Sequence, residues 1–223
     1  MKRILICLTV VLIGCMAQAQ QSSAPAPHGS MMLGKRADDA TELRLAMRKL
    51  WEDHITYTRN YIISSLADLP DVDAVSQRLL KNQDELGDAI KPYYGNEAGQ
   101  KLSGLLREHI MIATEVVKAA KADSKSQLTS AQSKWSANGR ELAAFLSGAN
   151  PHLNRGELEQ MLQKHLDLTT GEVVGRLKKD FASDIHSYDA GNLHMLKFAD
   201  SLTDGIMKQF PEKFPHVMER SSR

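Results

Sequence analysis

Apolar residues recur three and four positions apart along most of this chain, the period of an amphipathic helix with one face turned to a core. In LRLAMRKLWEDHITYTRNY, residues 43–61, that stepping gives Leu43, Met47, Leu50, His54, Tyr57 and Tyr61, a helix seam with an imidazole in it. No alternating strand pattern of useful length occurs, and the interior prolines fall at Pro70, Pro92 and Pro151. The pattern predicts an all-α fold, an up-and-down antiparallel bundle of about six helices near 39–67, 72–91, 96–121, 124–148, 154–178 and 181–209.

The breaks between them have chemical reasons. Asp71 follows Pro70 as a cap, Pro92 and Gly95 interrupt KPYYGNEAG, Asp123 and Ser124 lie in KADSKS, and Gly148, Pro151 and Asn154 lie in SGANPHLN. The remaining break, near Lys179 and Asp180, has neither Gly nor Pro and is placed by spacing instead.

Each predicted seam carries one polar intruder. Helix two runs Val75, Leu79, Gln83, Leu86, Ile90 with Asn82 beside it, and helix three runs Leu102, Leu105, His109, Ile112, Val116. Helix four has Asn138 among Leu128, Ala131, Trp135, Leu142 and Phe145, and helix five has His165 after Leu158 and Met161, with Glu172 two turns on. From His54 the steps to 82, 109, 138, 165 and 194 are all about one helix plus one loop, which returns the chain to the same height. These residues should form one layer, and His194 joins it only if the chain turns near residue 180. The histidine spacing fits three repeated helical hairpins, and equal helix lengths account for it as well.

Imidazoles converging inside a bundle suit a transition metal, Zn, Cu, Ni or Fe. The expected ligands are His54, His109, His165 and His194, with Glu172 either binding or orienting a ring; Asn82, Gln83 and Asn138 are expected to contact a small polar ligand. A layer of this kind also has a purely architectural use, a buried hydrogen-bond network that fixes helix register in a structural or interaction protein of the cell envelope. Glu-x-x-His pairs, His-Glu-x-x-His and phosphate-binding glycine loops are absent. No Ser/His/Asp order or activated Cys suggests catalysis, and an enzyme would use, for example, a His-bound metal with Glu172 as base.

Charge changes the picture by exclusion. With 28 basic and 27 acidic residues there is no bulk field to gather nucleic acid. The start, MKRILICLTVVLIGCMAQAQ, has Lys2 and Arg3, a short apolar run and Ala17-Gln18-Ala19, so residues 1–19 read as an export signal and the protein as periplasmic or secreted. Leu12-Ile13-Gly14-Cys15 also resembles a lipobox, which would make Cys15 a lipid anchor. Both cysteines, Cys7 and Cys15, lie in this segment, leaving the mature chain without disulfide or thiolate ligand, and no transmembrane segment is expected in it. Residues 20–38 read as a flexible linker, 39–210 as the bundle and 211–223 as an irregular tail.

WEDHITYTR, RLLKNQDELGDAIKPYYG, HIMIA, NPHL, HLDLT and FADSLTDGIMKQFP make residues 43–214 resemble a family of small exported bacterial helical proteins. Members of it carry names such as glycosyltransferase or acetylglutamate kinase. The residues argue against both activities, because nothing here builds the α/β sheet that usually holds a nucleotide. Asp71-Val72-Asp73 mimics a metal-binding Asp-x-Asp but reads as a cap and first turn.

Overall fold

The computed structural model describes residues 28–214, with side chains from Asp39 onward. It is all-α: α1 (His28–Leu66), α2 (Val72–Lys121), α3 (Lys125–Ala149), α4 (Arg155–Leu177) and α5 (Phe181–Gln209), closed by a short 3₁₀ turn at Pro211–Lys213. The expected export signal, residues 1–19, and Cys15 within it lie outside the described residues. α1 begins inside the stretch read as a linker, and the start of the expected tail is packed, with Phe214 buried against Ile206 and Met207.

The predicted second and third helices are one element, α2, so five helices stand where six were expected. α2 is nevertheless interrupted: Gly95 has φ 82° and ψ 173°, a conformation nearly restricted to glycine, three residues after Pro92. The arms on either side double back on each other. A Cβ on Gly87 would strike the Gly99 carbonyl, one on Gly99 would lie 2.7 Å from the Gly87 carbonyl, and Arg107 reaches across to Asp84 at 2.9 Å. The two glycines let the backbones approach where any side chain would hold them apart.

The packing order is a closed ring. α3 packs between α2 and α4, α5 between α4 and α1, while α1, α2 and α4 also meet at the centre. Arg44 and Arg48 of α1 seal the last seam on Asp200 of α5.

Counting the arms of α2 separately, the molecule is three antiparallel hairpins, and the repeat left open by the spacing is present in the buried register. Met47, Leu102 and Leu158 correspond, as do Trp51, Leu106 and Leu162, and Ile62, Val117 and Val173; all are buried. On the second helices Leu86, Leu142 and Phe198 correspond, then Ile90, Leu146 and Leu202, again all buried. The turns repeat too. Asp68, Asp123 and Lys179 are the non-glycine residues with positive φ among the described residues, at 51°, 50° and 59°. Around each, the following amide closes the helix end on a carbonyl five residues back: Leu69 N–H on Ser64, Ser124 on Ala119, Asp180 on Gly175. The third turn therefore falls where the spacing of His194 required it.

Caps are less uniform. Asn154 and Asp180 accept hydrogen bonds from the backbone amides of Glu157 and Ser183, whereas Asp71 and Ser124 occupy cap positions without a side-chain bond.

Candidate functional site

The polar layer lies between two apolar clusters, one around Met47, Leu86, Leu142 and Phe198, the other around Ile62, Leu79, Ile110 and Val173. It has an inner and an outer shell. The inner shell is His54, His109 and His165, each 2–3 % exposed and each on the first helix of its hairpin. The His54 and His165 rings lie 5.5 Å apart between centroids and those of His109 and His165 5.9 Å apart, the latter pair nearly parallel at 22°. Trp51 and Trp135 close against His54 and His109 at 5.5 and 5.2 Å.

The outer shell makes one bond three times. Asn82 Nδ2 donates to the Leu50 carbonyl at 3.0 Å, Asn138 Nδ2 to Leu105 at 3.1 Å, and His194 Nε2 pairs with the Met161 carbonyl at 2.8 Å. In each hairpin the carbonyl belongs to the residue four before the central histidine. Asn82, Asn138 and His194 thus pin the second helix to the first at the height of the layer. Asn138 has a second task, since its Oδ1 lies 2.8 Å from His109 Nδ1 and fixes that ring as a donor there.

Gln83 is fully buried and donates to Leu79 O at 2.7 Å and Asn82 Oδ1 at 3.1 Å. His54 Nδ1 and His165 Nδ1 are buried without a hydrogen-bond partner, as is Gln83 Oε1. Such groups cost about 1–3 kcal/mol each when left unpaired. Burial holds all three central imidazoles neutral. It pushes His54 to about 3, helped by the His109 charge and opposed by the Gln83 amide, and His109 to about 4, opposed by the bond to Asn138. His165 falls well below the ordinary value through burial and then the charges of its neighbours His54, His109 and His194. Neutral imidazole is the protonation state that binds a metal.

Of the eight residues expected at the site, the structure brings His54, His109 and His165 together at the centre and sets Asn82, Gln83, Asn138 and His194 around them. Glu172 goes elsewhere. It is buried at 3 % exposure, two turns above His165, and accepts from Arg59 Nη1 at 3.1 Å. Arg59 also holds Asp184 at 2.8 Å, and Arg176 reaches the same carboxylate at 2.9 Å. Burial raises the Glu172 carboxyl to about 7, against the pull of Arg59. Glu172 therefore belongs to an ion cluster that ties α1 to α4 and α5 rather than to the imidazoles. The hydrophobic pattern missed Arg59 and Asp184, because charges one step off a seam look like solvent-facing residues. The visible signal was Gly175, where a Cβ would come within 2.7 Å of the Asp184 amide and so marks the close contact that buries Asp184.

As they stand, no three or more His, Cys, Asp or Glu side chains among the described residues are arranged to hold a metal ion. The parallel His109 and His165 rings would have to tilt for their nitrogens to converge. The separations of His165 from His54 and from His109 are similar to those of rings bound to one ion through nitrogens about 2.0–2.1 Å from it. Two small cavities of about 20 Å³ flank the layer, one lined by Thr58, Ile62, Ile110 and Thr169, the other by Met47, Leu86 and Leu202.

Fold and site together define an all-α protein of three helical hairpins around a buried imidazole triad. No family model, curated protein or solved structure matches the chain. No helix among the described residues is long and apolar enough to cross a membrane.

Proposed function

We propose that this is an exported metal-binding protein that takes a single transition-metal ion between His54, His109 and His165. The observation that carries the reading is the pair of buried, unpartnered Nδ1 atoms in a group of three neutral imidazoles, with His165 in ring contact with both His54 and His109. A layer built only for architecture would be served as well by apolar side chains, without the cost of two orphaned ring nitrogens. Asn82, Asn138 and His194 act as struts that hold the triad's helices in register, and Gln83 lies beside His54 as a polar neighbour. Glu172 stands outside the ligand set.

A second reading, an envelope structural or interaction protein with an inert histidine layer, is favoured by the three repeated strut bonds and by the stacked His109 and His165 rings. Melting separates the two. Full-length protein expressed with its own leader, purified without tag or chelator, is assayed for bound metal and then melted with Zn, Cu, Ni and Fe added singly. Metal binding predicts near-stoichiometric metal or a rise of several degrees in Tm that His109→Leu abolishes. An apo protein whose Tm ignores all four metals would leave the second reading.

A further inference from the structure

We propose that the groove between the end of α2 and the start of α3 binds a small organic monoanion, an apolar body ending in a carboxylate. The site lies where the repeat of the three hairpins breaks, and no residue of the histidine layer takes part in it.

The third hairpin is closed where the second is open. Gly171 and Gly175 lie so near α5 that a Cβ on them would come within 2.7 Å of the Ser187 hydroxyl and the Asp184 amide. In the register that pairs Val117 with Val173 and Leu142 with Phe198, Glu115 and Ala119 occupy the two glycine positions, and Ala131 that of Ser187. Side chains at 115 and 119 keep α2 and α3 from closing as α4 and α5 do. Between them lies a groove of about 610 Å³, inside the roughly 300–1,000 Å³ range of small-molecule sites.

The lining sets the chemistry of the ligand. Ala119, Ala122 and Ala131 offer methyl groups to an apolar body. Positions 111, 115, 118 and 122 share one face of α2, and Met111, 62 % exposed, adds another apolar side chain in line with the groove.

Two ammonium groups, Lys118 and Lys134, stand here against the single carboxylate of Glu115, which leaves one positive charge in excess. Lys134 reaches Glu115 at 3.2 Å from α3 to α2, whereas Lys118 has no carboxylate partner among the described residues. The Ser126 and Ser130 hydroxyls and the Gln127 amide are donors that no group among the described residues takes. A cation would meet the lysines, and a neutral molecule would leave the excess charge unmatched. A carboxylate matches it, with Lys118 supplying the charge and the serines hydrogen bonds.

The test follows ¹⁵N amide spectra of the full-length, tag-free protein as benzoate is added, with benzyl alcohol and benzylamine as probes of similar size and different charge. Benzoate should shift the amides of Lys118, Ala122, Ser126 and Ser130 and saturate in the millimolar range. Benzyl alcohol should bind on the order of tenfold more weakly, and benzylamine should leave those amides unmoved. Lys118→Glu should weaken benzoate on the order of tenfold, and Ser130→Trp, which fills the groove from an exposed position, should abolish its binding. Lys178→Glu makes the same change of charge in the third hairpin, at the position of Ala122, and should have no effect on binding. Equal binding of the three probes would overturn the anion assignment. Benzoate shifts that survive both Lys118→Glu and Ser130→Trp, or that fall outside the groove, would overturn the site, as would amides unmoved by benzoate through the millimolar range. None of these results bears on metal binding at the histidines, so the two readings fail separately.

Discussion

His194 does with an imidazole what Asn82 and Asn138 do with an amide: each bonds the carbonyl four residues before a central histidine. The equivalence makes a sharp expectation. His194→Asn should keep the strut and cost well under about 1 kcal/mol, whereas His194→Leu leaves the Met161 carbonyl unpaired and should cost roughly 1–3 kcal/mol, read by urea denaturation. Equal losses in the two variants would remove the equivalence. The central histidines set the acid response of the metal-free protein. Their folded-state values lie below the ordinary one, so the folded chain binds fewer protons than the unfolded chain and stability is present above about 6.5 and lost as pH falls toward 4 and 3. Glu172 has the opposite sign: raised to about 7, it stabilises below its unfolded value of 4.5 and that contribution disappears as pH rises through 7. Three imidazoles outweigh one carboxyl, so between pH 6.5 and 4 the unfolding free energy read from urea denaturation should fall, by about several kcal/mol overall. Glu172→Gln should gain on wild type as pH rises from 5 to 8. A flat profile across the acid range would mean the imidazoles are not held neutral. The triad was legible in the sequence because a His on an apolar seam stands out. The ion cluster was not, since Asp184 is buried by a backbone approach at Gly175 that no hydrophobic period encodes, and Arg59 is drawn to it from a half-buried position one step off the seam.

At the scale of elements, helix ends followed turn chemistry closely, and the Lys179 turn was found by counting despite its lack of Gly or Pro. The pattern also located the break at Pro92 and Gly95 between two antiparallel arms; what it could not reveal was how closely those arms approach, because the contact is backbone on backbone. Gly87 and Gly99 mark it. Gly87→Ala drives a methyl into the Gly99 carbonyl and the Ser103 hydroxyl, and Gly95→Ala forces an L-residue to φ 82°. Each should cost about 1–3 kcal/mol. Gly104, exposed in the same element with no heavy atom near an added Cβ, is the control, and Ala there should stabilise by roughly 0.5–1 kcal/mol. Thermal melts of the three variants would check the hairpin. Loss at Gly104 equal to that at Gly87 would argue that the arms do not depend on close approach.

For the whole molecule, the three hairpins bring one histidine each to a common buried layer, and the repeat runs through the core residues, the turn conformations and the struts. The histidine intervals carried this repeat in the sequence, but correspondences such as Trp51 with Leu106 and Leu162 differ in chemistry and align only once burial is known. The hairpins differ in the shape of many core side chains and in the ion cluster, where Glu172 stands in the register of Tyr61 and Val116. The histidine layer is therefore where function should be sought, and the imidazole nitrogens themselves report on it. The most direct measurement is the ¹⁵N imidazole spectrum of full-length, metal-free protein at pH 7, before and after one equivalent of each metal ion under anaerobic conditions. Metal binding at the triad predicts three neutral imidazoles that do not titrate between pH 8 and 6, and one nitrogen each of His54, His109 and His165 shifting together on addition of a single ion. Resonances of these three rings that stay unmoved by every metal would contradict it.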